Sequence, residues 1–195
     1  MVPVSHIAVE GCIASGKTTL AKALALKFHI DPVLEDYHDV PSLKLFYNDP
    51  ETHAFETEIQ FTQSHFKRLG EAIENSGGTP FVTDFTLKRD LLFAGVTLEC
   101  QPEKLAEYQQ FWMELANQLP EPDRIILLEA PVDELMKRIK QRGRPFEQGI
   151  SEAYLKRLVS GLRDIYGEVP EGTVIKLEST ELSELLEALP DNLVG

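Results

Sequence analysis

Gly11-Cys12-Ile13-Ala14-Ser15-Gly16-Lys17-Thr18 is a G-x-x-x-x-G-K-T run, set between an apolar stretch from Val4 to Val9 and a helical pattern from Leu20 to Phe28. Strand, glycine-bounded loop and helix in that order are the context a phosphate-binding loop requires. Glycines at both ends let successive backbone N–H groups turn inward on one anion, and the helix that follows adds its positive end. The stretch from Gly11 through Ala14, Ser15 and Gly16 to Thr19 is therefore expected to cradle nucleotide phosphates. Lys17 would reach the outer phosphates as a point charge, and the Thr18 hydroxyl could ligate Mg²⁺. Ala14 stands where a glycine would be roomier, and is expected to be tolerated with a negative φ.

The remaining composition limits what such a loop can serve. A chain of 195 residues with 43 % hydrophobic and 26 % charged residues fits one domain with an ordinary core. Its net charge of −13 opposes the wrapping of nucleic acid by bulk electrostatics, since a polyanion is repelled unless a local basic patch intervenes. No apolar run is long enough to span a bilayer, no leader pattern opens the chain, and a cytoplasmic location is expected. Cys12 and Cys100 have no metal-like or redox-like spacing and read as reduced thiols.

Past the first helix, Asp31 to Tyr37 reads as an extended piece ending in carboxylates. Ligands in open α/β sheets gather at the carboxyl ends of strands, so Glu35 is either a general base for an acceptor hydroxyl or a solvated loop acid. Pro41 to Pro50 reads as a connector, and Asp49-Pro50 opens a long helix with a stripe of Phe55, Ile59, Thr62, Phe66, Leu69 and Ile73. Glu58 flanks that stripe as a boundary residue or as an acid aimed into a pocket. Asn75 to Gly78 ends the helix. Pro80 to Asp84 is the third strand, and Asp84 at its tip could hold Mg²⁺. Leu87 to Phe93 is too mixed to assign.

A helix from Pro102 carries Leu105, Tyr108, Trp112, Leu115 and Leu119, a face fit for core packing or for a dimer interface. Arg124 to Leu128 and Thr173 to Leu177 are the fourth and fifth strands, and Ser183 starts a last short helix. Between those strands Val132, Leu135, Met136 and Ile139 stripe a helix that ends in Arg138, Arg142 and Arg144. These arginines are either a dipole-stabilised helix end or a lid that closes on transferring phosphates, placed around 140–150. Alternating strands and helices make a parallel sheet covered on both faces. His6, inside the first strand, is expected to pack there.

From Ile7 to Tyr166 these motifs resemble the deoxyribonucleoside kinases, in particular the bacterial deoxyadenosine/deoxyguanosine kinase type. The likeness is carried by Glu10-Gly11 through Thr18, Leu45 to Pro50 with Ala54-Phe55, Asp84 with Asp90 and Phe93-Ala94, and Arg138-x3-Arg142-Gly143-Arg144-x2-Glu147 with Tyr154-Leu155. The resemblance implies the P-loop kinase fold, a five-stranded parallel sheet of order 2-3-1-4-5, in a single domain over residues 1–195. It implies γ-phosphate transfer from ATP with Mg²⁺, held by Thr18 and Asp84, to the 5′-hydroxyl of a deoxynucleoside in nucleotide salvage. Glu35 matches the general base, and Tyr47 with Glu147 the pair on the sugar 3′-hydroxyl. Arg142 and Arg144, with Lys17, match the groups on the transferred phosphate, with Arg138 as a further phosphate contact. Asp90 matches a base-reading position, with Phe55, Phe85 and Arg89 about the acceptor. A homodimer built through helices is the family's usual state.

Two departures stand out. Where the family commonly has Asp/Glu-Arg-Ser, this chain has Asp84-Phe85-Thr86, so an arginine is missing unless Arg89 replaces it. Where a glutamine usually contacts the base, this chain has Glu58. An ionised Glu58 offers acceptors only, which suits the adjacent N–H donors of guanine and favours a purine, deoxyguanosine in particular; a protonated Glu58 reverses that reading. A kinase of another small-molecule acceptor and a nucleotide sensor that has lost phosphoryl transfer are the alternatives, the sensor motivated by the missing arginine.

Overall fold

The structure is a computed structural model that describes residues 5–167, 173–190 and 192–194; Val4, where the first strand was expected to begin, lies outside them. Five parallel strands form one sheet in the order β2-β3-β1-β4-β5. They are β1 His6–Gly11, β2 Asp31–Val33, β3 Phe81–Thr83, β4 Arg124–Glu129 and β5 Val174–Glu178. The strand order and the covered parallel sheet are those expected from the sequence. Every residue of β1 is buried, as its near-continuous apolar run requires of a central parallel strand.

The two sides of β1 feed two cores. Ile7 and Val9 pack with Leu20, Ala21 and Leu24 of α1 (Lys17–Phe28) and with Leu185 of α8 (Leu182–Ala188). Ala8 packs with Ile125 and Leu127 of β4, with Leu135 and Ile139 of α6 (Val132–Arg142), and with Leu155, Leu158 and Leu162 of α7 (Glu152–Gly167). His6 stacks on Phe81 at 4.7 Å and shares a 3.0 Å hydrogen bond between Nε2 and Thr83 Oγ1. Burial lowers its pKa to about 4, so it is a neutral packing residue, as expected.

Three stretches differ from the sequence reading. The expected connector from Pro41 to Pro50 contains α2 (Leu43–Asn48), whose Leu43 and Phe46 are buried. The unassigned stretch from Leu87 is α4 (Leu87–Thr97), started by the Thr86 hydroxyl accepting from the Arg89 N–H. In α3 (Pro50–Ser76) the buried positions are Ala54, Thr57, Glu58, Thr62, His65 and Leu69. The face of α3 that turns inward is thus rotated from the expected stripe and is largely polar. In α5 (Pro102–Ala116), Tyr108 is fully buried and shares a 2.7 Å hydrogen bond with Thr62 Oγ1, while Trp112 Nε1 donates to the Leu87 carbonyl at 2.7 Å. Both residues are spent on packing within the chain.

Candidate active site

The phosphate loop is shaped by backbone conformations that few residues adopt. Gly11 has φ +150°, and a Cβ there would sit 2.5 Å from Ser15 Oγ and 2.7 Å from the Leu128 carbonyl, so no side chain fits. Gly16 caps α1 at φ 97°. Ala14 has φ 63°, against the negative value expected, because the loop curls through the left-handed region at that point. The conformation costs an L-residue about 1–2 kcal/mol. Glycine would relieve that at an entropic cost of about 0.5–1 kcal/mol. Ala14→Gly should therefore raise unfolding free energy by roughly 0.5–1 kcal/mol, read as a higher urea midpoint at unchanged slope.

Beyond the carboxyl ends of β1, β2 and β3 lies a cleft enclosing about 1130 Å³, its open mouth included. Lys17 and Thr18 enter it from the loop and α1, Glu35 from the segment after β2, and Asp84 from the tip of β3. Asp84 ties these parts together: Thr18 Oγ1 donates to Oδ2 at 2.5 Å, and the Glu35 N–H donates to Oδ1 at 2.7 Å. Lys17 Nζ donates to the Cys12 carbonyl at 3.0 Å. Burial and the neighbouring Arg89 lower its pKa, against the attraction of Glu35, Glu10 and Asp84. Glu35 and Lys17 thus face one crevice within each other's electrostatic reach.

Early in α4 an arginine enters the cavity. Arg89 is 5 % exposed; its Nη1 donates to the Asp84 carbonyl at 3.0 Å and its Nη2 to Glu35 Oε2 at 2.5 Å. Burial alone would raise the pKa of Glu35, but Arg89, His65 and Lys17 together hold it well below the ordinary carboxylate range. The carboxylate is ionised and 32 % exposed toward the cavity. The carboxyl of Glu10, wholly buried, is pushed the other way by desolvation.

The arginine-bearing segment closes the far side. α6 ends at Arg142 with Gly143 in the left-handed conformation, and a short 3-10 turn spans Pro145–Glu147. Glu147, 4 % exposed, accepts from Arg142 Nε at 3.0 Å and Nη2 at 2.6 Å, and from Arg144 Nη1 at 3.2 Å. The Arg144 guanidinium also lies 4.5 Å from the Tyr37 ring centre. Tyr47 lines the same side, and burial, with the charge of Glu147 adding to it, raises its pKa. On a chain of net charge −13, Lys17, Arg89, Arg142 and Arg144 all line one cavity.

Other expected site residues fall elsewhere. Arg138 is outside the cavity lining: it pairs with Glu134 at 3.0 Å and donates to the Ser179 hydroxyl at 2.6 Å, and that hydroxyl donates to the Ser15 carbonyl at 2.6 Å. It braces the β5–α8 loop against the phosphate loop through Ser179. Phe55 packs in the cluster around Val40 and Phe46. Phe85 is fully buried beneath His65, with ring centres 4.2 Å apart. Phe46, Phe61 and Phe93 line the cavity in their place, beside Tyr37, Tyr47 and Tyr154. Glu58, 4 % exposed, accepts from Thr97 Oγ1 at 2.9 Å. Burial, with the Asp90 charge adding to it, raises its pKa to about 8. His65 went unnoticed in the sequence, although it lies seven positions past Glu58 and so on the same helical face.

The Thr18 hydroxyl and an Asp84 oxygen, 2.5 Å apart, are hard donors of the kind Mg²⁺ takes in small number beside nucleotide phosphates. Among the described residues no three His, Cys, Asp or Glu side chains converge on a metal position. Among those residues, too, no helix is long and apolar enough to cross a membrane.

The sequence profile of the family described as deoxynucleoside kinase matches residues 7–189. The chain is 34 % identical over 178 residues to a deoxyguanosine kinase of Bacillus subtilis (strain 168), covering 88 % of this chain and 85 % of that one. It is 32 % identical over 184 residues to a deoxyadenosine kinase of Dictyostelium discoideum, covering 91 % and 73 %. A structure of deoxyadenosine kinase from M. mycoides with products dCMP and dCDP shares the fold, with a TM-score of 0.84 at 22 % identity over 93 % of this chain and 95 % of that one. The match spans the sheet, the phosphate loop and the arginine-bearing segment alike, and on that ground the chain belongs to the deoxynucleoside kinase family and is an ATP-dependent phosphotransferase.

Proposed function

We propose that the chain transfers the γ-phosphate of ATP to the 5′-hydroxyl of a purine 2′-deoxynucleoside, as a step of nucleotide salvage. The observation that carries this reading is the ionised Glu35 carboxylate, fixed by Arg89 and by its own N–H on Asp84, in the same cavity as Lys17. Glu35 accepts the hydroxyl proton as the oxygen attacks phosphorus. Lys17, Arg142 and Arg144 neutralise charge on the moving group. The loop from Gly11 to Thr19 holds the donor phosphates through its backbone N–H groups. Tyr47 and Glu147 hold the sugar. Thr18 and Asp84 would hold Mg²⁺, which would supply charge neutralisation to the phosphates. Arg89, bonded to Glu35 in the cavity, takes the part of the missing arginine in this reading, which weighs against a sensor without transferase activity.

The test is direct. Purified chain, ATP and Mg²⁺ are incubated with each of the four deoxynucleosides and with guanosine, and 5′-monophosphates are separated by chromatography. Product from a deoxynucleoside is expected, with the purines ahead; product from none overturns the reading. A homodimer through helices and a cytoplasmic location belong to the same proposal, and sedimentation equilibrium tests the dimer.

Glu58 sets a pH-dependent choice of base. Below about pH 8 its carboxyl keeps the proton and offers one donor and one acceptor, as a glutamine does, which serves either purine. Above it the ionised group offers acceptors only and favours the adjacent N–H donors of guanine. The ratio of kcat/KM for deoxyguanosine over deoxyadenosine should rise roughly tenfold between pH 6.5 and 9, about the discrimination that one unpaired buried polar group supplies. Glu58→Gln should flatten it; an unchanged slope in that variant would place the titrating group elsewhere.

A further inference from the structure

One buried group in the cavity has no part in the phosphotransfer chemistry above. His65 on α3 is 1 % exposed, and its ring lies flat on Phe85 with 11° between the planes. Nδ1 is 2.9 Å from both oxygens of Asp90. Nε2 is 3.3 Å from Glu35 Oε2, off the hydrogen-bonding line, and among the described residues this wholly buried atom has no hydrogen-bond partner. Arg89 Nη2 addresses the same Oε2 at 2.5 Å, and among the described residues no hydrogen bond reaches Oε1.

The charged groups around the imidazole come from three directions. Glu58 stands on its own helix, Asp90 reaches it from α4 with Arg89 one residue earlier, and Glu35 faces it from the segment after β2. Burial works against a charged ring, but Asp90 and then Glu35 outweigh it and raise the pKa to about 9. A carboxylate at one ring nitrogen fixes the orientation of the other. A histidine that served packing alone would need one acceptor, whereas this one is directed at a second carboxylate on a different element. Both Asp90 oxygens are thus turned to Nδ1.

We propose that His65 is a positioning residue that Asp90 orients and that steadies Glu35 through Oε2, leaving Oε1 for the acceptor hydroxyl, and that Asp90 serves this imidazole instead of reading the nucleobase. The inference rests on the kinase reading above. It gives the sugar end and the base end of the cavity a shared strut, Asp90–His65–Glu35, in place of two independent contacts.

Two measurements on the full chain test it. In wild-type protein labelled with ¹⁵N-histidine, both ring nitrogens of His65 should be protonated at pH 7.5, with the signal assigned by substituting His6, His29, His38 and His53 in turn. A neutral ring overturns the proposal, and this readout does not depend on turnover. In kinetics, His65→Gln and Asp90→Asn should each lower kcat about 10- to 100-fold, the scale of a misplaced catalytic group. Each should leave the acceptor KM within about threefold and the ranking of deoxynucleosides unaltered, and the double variant should be no slower than the slower single one. Multiplicative losses, or a reordered ranking in Asp90→Asn, overturn the proposal. Where a variant fails to fold, the ring protonation decides. A wild-type chain without turnover on any nucleoside would strike the kinase reading and leave the imidazole result standing.

Discussion

Glu35→Gln should lower kcat by about 10²–10⁴, the usual contribution of a positioned general base, with ATP affinity retained. Glutamine keeps the length and an oxygen for Arg89, so the geometry around Asp84 survives and only the proton-accepting charge is lost. Arg89 is buried, 5 % exposed, but with Glu35 neutral it still lies beside the charges of Asp90 and Asp84, so the variant does not leave it without a countercharge. Arg89 keeps its hydrogen bond to the Asp84 carbonyl. The measurement is single-turnover formation of nucleoside monophosphate, alongside calorimetric titration with a non-hydrolysable ATP analogue. Turnover within tenfold of wild type would assign the base role to another group.

Arg142→Ala is the second large effect, a loss of about 10² or more in kcat if one charge-stabilising contact contributes roughly 3 kcal/mol to the transition state. Arg142 makes two bonds to Glu147 through one face of its guanidinium, and its side chain is 32 % exposed, so truncation leaves the fold intact. Arg144 still holds the other Glu147 oxygen. Arg142→Lys should recover only part of the loss, because an ammonium cannot reproduce the planar fork. Binding of ATP measured without acceptor should change little. Near-normal turnover in Arg142→Ala would make the arginine a brace for Glu147 and nothing more.

The sheet was readable because parallel strands buried on both faces appear as apolar runs, and the phosphate loop fixed which run came first. The cavity wall was harder. Hydropathy counts Thr57, Glu58 and His65 as surface, yet all three are buried on α3, since a polar ligand pocket inverts the usual face of the helix. The same inversion hid α4, where Arg89 and Asp90 point inward. α7, with Leu155, Leu158 and Leu162 at ordinary spacing, was open to the reading that found α6. The partner of Arg138 was not legible because spacing along a helix shows which residues share a face and not which neighbour that face meets; the neighbour is Ser179, distant in sequence.

Glu147 is a buried acid whose two oxygens are already occupied by Arg142 and Arg144. An anionic donor that draws these guanidinium groups outward deprives that acid of its countercharge, and a neutral hydroxyl arriving beside Tyr47 restores a proton for it to accept. Under the proposed roles each substrate would ease the arrival of the other, and by thermodynamic reciprocity the factor would be the same in both directions. The enzyme would then favour the ternary complex over either binary one, and idle hydrolysis of ATP by water would be suppressed until a sugar is seated.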